Sequence, residues 1–378
     1  MTRRRGNGEG GITRHKKSGL YMARYTVETS TGPKRKTIYG KTRKEASEKL
    51  TKAMADRDGG LIFDAKNQTV GEYLDRWLND SMRGSVKPVT FESHERLVRT
   101  HIAPALGRIK LKNLTPAHIQ AFYRTKLDAG LAPARVRLIH SVLHKALKQA
   151  VKWELVPRNA CEAVDPPKPQ SEEIKPLDAD QAKALLKAAR GDRLEALYVL
   201  AVTAGLRIGE LLGLKWEDVD IERGVLHVRR TLSTAKSGPT FTTPKNEKGR
   251  SIKLTTRAVD SLKSHRAAQS AERLKLPAGL WEDWGLVFPT RRGTPINYRN
   301  LTSRSFKSLL SCAELPRTVR FHDLRHTCAT LLLSRGVHPK LVQELLGHAN
   351  IAITLDRYSY VLPSMGDQTA ATMDSALS

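Results

Sequence analysis

Thr203-Ala204-Gly205-Leu206-Arg207-Ile208-Gly209-Glu210-Leu211 is the stretch that decides how this chain is read. Apolar residues press on it from both sides, Val199, Leu200, Ala201 and Val202 before it and Leu211, Leu212 and Leu214 at its end. The pattern predicts core helices over 194–204 and 209–214, joined at Gly205 by a tight turn. Arg207 sits at that joint. A guanidinium held among core helices demands a partner, because an isolated buried charge is costly. Glu210, one helical turn on, is a candidate to orient it, and an ordinary surface ion pair is the plainer alternative.

Working outward, the chain offers His322-Asp323-Leu324-Arg325, then Leu346-Gly347-His348, then Thr354-Leu355-Asp356-Arg357-Tyr358-Ser359-Tyr360. Arginine binds phosphate oxygens in pairs and keeps its proton. His322 lies three residues before Arg325, so a helix would project both from one face. His322 and His348 are candidates for proton transfer and phosphate hydrogen bonding, although a lone histidine is more often a satisfied core or surface residue. Tyr358 is the candidate nucleophile. A phenol with a pKa of about 10 needs nearby cations or a base to attack near neutrality. Tyr360 is its rival.

Lys245, in Thr243-Pro244-Lys245-Asn246, falls in a polar turn between two predicted strands. It is a candidate general acid for a leaving 5′ oxygen. Lys248 and Arg250 compete for that role, and DNA-backbone contact is the simpler reading of all three. Together, two Arg, two His, a Lys and a terminal Tyr are what cutting a phosphodiester through a covalent tyrosyl link requires.

Other motifs fall away. His322 and His326 form an HxxxH pair, but Asp323 and the cationic Arg325 between them argue against a metal site. Glu217, Asp218 and Asp220 read as a polar turn before a strand rather than a Mg²⁺ cluster. Gly40-Lys41-Thr42 resembles the end of a phosphate-binding loop, yet Arg35 occupies the place of the required glycine. No cofactor is expected.

The chain has 378 residues with 65 Lys and Arg against 38 Asp and Glu, a formal net charge of +27. A field of that size attracts polyanions, and double-stranded DNA is the expected partner. Its alternative is a solvated basic surface or an anionic lipid. No apolar stretch is long enough for a membrane span, and no apolar region follows the basic N-terminus to make a secretory signal. Cys161, Cys312 and Cys328 are too few and too scattered for a disulfide framework or structural zinc, so a reducing cytosol fits best.

The length predicts two or three domains. Residues 1–64 read as a basic sheet-and-helix module, with sixteen Lys and Arg against six Asp and Glu over residues 1–60. Tyr21, Ala23, Tyr25 and Val27 alternate as a strand, Lys34–Tyr39 forms another, and Thr42-Arg43-Lys44-Glu45 is a capping box opening a helix to about Asp56. One sheet face carrying Arg24, Lys34, Arg35 and Lys36 is expected to enter a DNA groove. Residues 65–166 read as all-helical. The Thr69–Glu72 capping box, a helix over about 90–102, the Thr115-Pro116 helix start and a helix over about 134–154 supply the elements. In that last helix Val136, Ile139, Val142, Leu143, Leu147 and Val151 face inward. Arg135, Arg137, His144, Lys145 and Lys148 lie on its other faces. Residues 167–173, rich in proline, form a linker. Residues 174–378 mix helices with short strands, at 225–228 and 251–254.

On the segments quoted above, taken in their order and spacing, the chain resembles the tyrosine recombinases of the phage integrase family over its whole length. The resemblance implies a multidomain α+β fold. It consists of a three-stranded sheet plus helix that binds arm-type sites (1–64), an all-helical core-binding domain (65–166), and a mainly α catalytic domain with a small antiparallel sheet and a C-terminal tail (174–378). By the same resemblance Arg207, Arg325 and His348 activate the phosphate, Lys245 is the general acid, His322 transfers a proton and Tyr358 attacks. Tyr360 stands where the family often has His. The implied activity is site-specific recombination of a phage or conjugative element through a 3′-phosphotyrosine, without ATP or metal, in the bacterial cytoplasm. The implied assembly is four protomers on two duplexes, passing through a Holliday junction; the segment 365–377 is a candidate to dock on a neighbour, with a frayed chain end as the alternative. A host DNA-bending protein and an excisionase are compatible further partners. A type IB topoisomerase and a non-catalytic DNA-binding regulator on the same scaffold remain the alternatives.

Overall fold

The computed structural model describes residues 11–15, 18–29, 32–58, 68–169, 175–243, 249–358 and 373–378. The chain divides into two compact units, Met1–Ser171 and Glu172–Ser378.

The first unit opens with an antiparallel sheet in the order β1 (Gly11–Arg14), β2 (Tyr21–Thr29), β3 (Gly32–Gly40), followed by the helix Arg43–Asp58. Half of the expected capping box forms, with Glu45 N–H donating to Thr42 Oγ1, while the Glu45 carboxylate accepts from Lys41 N–H, one residue before the cap. Ala46 and Leu50 of the helix and Ala23 of the sheet are buried. Strand register corrects one expectation. Arg24 pairs with Thr37 and Tyr25 with Lys36. Side chains alternate across a strand, so Arg24 and Arg35 share one face and Lys36 takes the other. A single face carrying all four cations is therefore excluded. The Lys34 side chain lies outside the described residues.

The helices Val70–Trp77, Pro88–Leu97, Pro116–Asp128 and Pro133–Lys152 enclose an apolar core that includes Tyr73, Trp77, Ile119, Tyr123, Val136, Ile139 and Leu143. Three of the four begin with proline at the first helical position, where its missing N–H leaves no gap in the hydrogen-bond ladder. The Thr69–Glu72 box forms in both directions. Val151 is only partly buried. Residues 164–169, in the expected linker region, carry neither helix nor strand.

The second unit is mainly helical. A sheet of β4 (Val219–Asp220), β5 (Val225–Val228) and β8 (Arg250–Lys253), together with a hairpin of β6 (Thr231–Ala235) and β7 (Gly238–Thr242), packs against the helices. The helix Glu195–Thr203 runs through the core, with Ala196 to Val202 all buried. At its end Gly205 adopts a left-handed φ of +59°. A Cβ there would lie 2.6 Å from Leu346 Cδ2 and 3.3 Å from Cys328 Sγ, so glycine alone lets the chain turn between those side chains. The hairpin β6–β7 and the long helix Thr256–Leu274 are elements the sequence reading did not predict. Glu217 and Asp218, considered above for a metal, instead pair with Arg230, and Asp218 also with Arg229.

Candidate active site

The site is built around one helix end. The helix Pro339–Leu346 stops at Gly347, which is left-handed at φ +65°. Such an end leaves backbone carbonyls without helical partners. Three of them accept from three different arginines. Arg250 Nε donates to Leu345 O at 2.8 Å, Arg325 Nη2 to Leu346 O at 2.6 Å, and Arg207 Nη2 to Gly347 O at 3.4 Å. The negative end of the helix dipole faces the same guanidiniums and favours them there.

Each arginine is fixed a second time. Arg325, on the helix Asp323–Leu333, donates through Nη1 to Gly205 O at 2.7 Å and is only 3% exposed. Burial first, then the Arg207 charge, lowers its pKa to about 9, which leaves it cationic at neutral pH. Arg207 occupies the N-cap position of the helix Ile208–Leu212, donates its backbone N–H to Glu210 Oε2 and pairs through Nη1 with Glu210 Oε1 at 2.8 Å. Arg250 meets the same carboxylate with Nη2 at 2.7 Å and Nη1 at 3.2 Å. Glu210 is buried. Burial alone would raise its pKa, but the Arg250 hydrogen bonds and charge, with Arg207, outweigh that and hold it at about 2. The surface-pair alternative for Glu210 is thus excluded, and Arg250 joins Arg207 as its partner.

His348 follows Gly347 directly, and its Nδ1 is 2.9 Å from the buried Thr354 Oγ1. Burial, Arg325 and Arg207 lower its pKa to about 3, so it is neutral near pH 7. His322 precedes the helix Asp323–Leu333 and is exposed, yet protein crowds its ring. That desolvation, with Arg325, lowers its pKa. Tyr358 ends the helix Ile351–Tyr358 and is 1% exposed, packed against Ala329, Leu333, Val342 and Leu346. Its hydroxyl lies 2.7 Å from His326 Nδ1. His326 stands edge-on to His322 with ring centroids 5.1 Å apart.

The structure therefore brings Arg207, Glu210, Arg325 and His348 around one turn and places both Tyr358 and His322 against His326. Lys245, Lys248 and Tyr360 lie outside the described residues, as do residues 365–372 of the tail. Among the described residues no cluster of three or more His, Cys, Asp or Glu is placed to hold a metal ion, and no helix is long and apolar enough to cross a membrane. Arg250 and His326 are the site residues the sequence reading did not place. Arg250 had appeared only as a competitor of Lys245, and His326 only as half of a metal-like pair.

The other candidate contacts are exposed cations. Arg24 and Arg35 are open to solvent on the sheet of the first unit, while Lys36 is half-buried. Arg137, Lys145 and Lys148 are exposed on the side of the helix Pro133–Lys152 opposite its buried stripe, and Arg135 is exposed along the stripe's margin.

Residues 175–364 match the phage integrase family, and residues 69–127 match the SAM-like N-terminal domain of phage integrases. A tyrosine recombinase XerC-like protein of Caldanaerobacter subterraneus is 34% identical over 90% of this chain and 91% of its own. An integrase of Streptomyces ambofaciens is 30% identical over 99% and 98% of the two chains. Among solved structures, the Tn1549 transposon integrase in complex with a circular intermediate DNA superposes with a TM-score of 0.67 at 25% identity, covering 82% of this chain and 99% of that one. A lambda integrase tetramer bound to a Holliday junction shares the fold, with a TM-score of 0.57 at 21% identity over 92% and 97% of the chains.

Proposed function

The chain belongs to the phage integrase family, and from that premise we propose that it cuts and rejoins DNA by the chemistry laid out around Gly347. It is a site-specific DNA recombinase of mobile elements. Arg207 and Arg325 hold the non-bridging oxygens of the scissile phosphate. Each is pinned by a carbonyl or carboxylate before DNA arrives, so little reorganisation remains at the moment of reaction. His348, neutral and fixed by Thr354, adds a hydrogen bond to the same phosphate. Glu210 keeps Arg207 and Arg250 in register.

Tyr358 Oη attacks phosphorus and the bond to the 5′ oxygen breaks, giving a 3′-phosphotyrosine and a free 5′ hydroxyl. Lys245 supplies the proton that the leaving oxygen takes, and His322 serves proton transfer at the exposed side. A 5′ hydroxyl of the partner duplex then reverses the step on a new strand. The number of phosphodiester bonds is conserved, so the exchange needs no ATP. Residues 65–166 grip core-type sites and residues 1–64 arm-type sites. Four protomers act on two duplexes, with a host bending protein and an excisionase as further partners and the bacterial cytoplasm as the setting.

One observation carries this reading: two arginines 118 residues apart in sequence, Arg207 and Arg325, meet at a single turn that leads straight into His348 and on to Tyr358. A nicked suicide duplex that traps the covalent complex tests it. Tyr358→Phe is expected to abolish the DNA–protein adduct and leave DNA binding intact. An adduct that persists in Tyr358→Phe and disappears in Tyr360→Phe shows that the other phenol attacks.

A further inference from the structure

The geometry points to His326 as the residue that holds and aims the Tyr358 phenol and receives its proton. The inference rests on Tyr358 being the nucleophile, and it gives His326 a task separate from that of His322. His326 Nδ1 and Tyr358 Oη are 2.7 Å apart, both side chains are buried, and the rings lie 5.7 Å apart at 55°. The two residues come from different helices, His326 near the start of Asp323–Leu333 and Tyr358 at the end of Ile351–Tyr358. The contact is therefore a product of tertiary packing and not of local sequence.

The direction of the hydrogen bond depends on the charge state and tautomer of His326. On its own helix His326 is near His322, Asp323 and Arg325; from the helix Ile351–Tyr358 it meets Arg357 and Tyr358; His348 is near it from the turn after Leu346. Burial first, then His322, Arg357 and Arg325, lower the His326 pKa to about 4, with Asp323 opposing. The imidazole is thus neutral near pH 7, and in the tautomer protonated at Nε2 its Nδ1 accepts from the phenol, the arrangement the proposal requires. Donation to Nδ1 uses the phenolic hydrogen and not a lone pair of Oη. A charged imidazolium would instead donate and occupy one.

In the cleavage step the Oη–phosphorus bond forms and the bond from phosphorus to the 5′ oxygen breaks. The phenolic proton passes along the hydrogen bond it already makes, to His326 Nδ1, and the 5′ oxygen takes its proton from the general acid on the other side. The imidazolium formed faces Arg325 and Arg357. A phosphate docked against Arg325 offsets that repulsion, so the affinity of His326 for a proton rises only once DNA is in place.

Single-turnover cleavage of a suicide duplex by the full chain, at saturating DNA, tests the assignment. His326→Leu is expected to slow adduct formation by roughly a hundredfold or more, with core-site affinity unchanged. His326→Asn places an amide oxygen near the position of Nδ1 and is expected to recover about tenfold of the loss. His326→Gln reaches past that position and is expected to recover none. A substrate with sulfur at the bridging 5′ position releases a thiolate that needs no proton, so the His326→Leu defect is expected to persist on it. Rescue by sulfur would place His326 on the leaving-group side and overturn the assignment. A His326→Leu rate equal to or above that of the unaltered protein would do the same, since the hydrogen bond would then be idle or a restraint on the phenol. If His326→Leu does not fold, the contrast of Asn with Gln decides, and equal rates for those two sink the proposal. Failure of the underlying reading shows separately, as an adduct that survives Tyr358→Phe.

Discussion

The cations of the helix Pro133–Lys152 and those gathered at Gly347 live under different electrostatics. Arg137, Lys145 and Lys148 stand in solvent on the open side of their helix. Their attraction to a polyanion is long-ranged, screened by salt and indifferent to side-chain placement within an ångström or so. Arg325 and Arg250 have side chains almost out of water, and every one of their contacts has a distance and a direction. Under the proposed function, cations of the first kind govern how tightly and how fast DNA is held, and those of the second kind govern what happens to one phosphate after it is held.

Separate consequences for binding and chemistry are the way to break that contrast. Arg325→Lys carries the largest effect. It keeps the charge and loses the fork, so suicide-substrate cleavage is expected to fall by about 10²-fold or more while the gel-shift affinity for a core site stays within about threefold. A parallel loss of affinity and rate would erase the distinction. Next comes removal of residues 1–64, which is expected to spare core-site cleavage and to lower integration by about 10²-fold, through loss of the second point of attachment. Unchanged integration by the shortened protein would refute the arm-site role. The smallest effect belongs to Arg137→Ala combined with Lys148→Ala. The slope of log affinity against log salt is expected to become shallower by about 2, with cleavage at saturating DNA untouched. Slopes that coincide would mean these two side chains meet no phosphate.

Much of the architecture could be read from local chemistry. The box at Thr69–Glu72 and the Thr115-Pro116 start each name a helix terminus by the hydrogen bonds they make. The helix Thr256–Leu274 was illegible for an equally local reason. Its inward positions include His265 and Gln269 beside Ala258 and Leu262. His265 Nε2 lies 2.6 Å from Val287 O and Gln269 Nε2 donates to Leu286 O at 3.0 Å, so polar residues are satisfied inside and the apolar period disappears. The basic sheet face failed for want of register, since alternation splits Arg24 and Arg35 from Lys36. In the site itself, Arg207, Glu210, Arg325, His348 and Tyr358 were all legible as candidates because each sits in a distinctive short segment. What sequence could not supply was partnership across distance. Arg250 reaches Glu210 from 40 residues away, and His326 reaches Tyr358 from 32.

The shared anchorage at the end of Pro339–Leu346 has a mechanical meaning. Three guanidiniums from three separate elements hang on consecutive peptide oxygens, and the histidine and tyrosine trail from the same corner. Tilting that corner by an ångström displaces all of them in concert. On the proposed function the reactive geometry is consequently gained or lost in one movement, and a protomer that grips its duplex without this corner in place holds DNA with its blade sheathed.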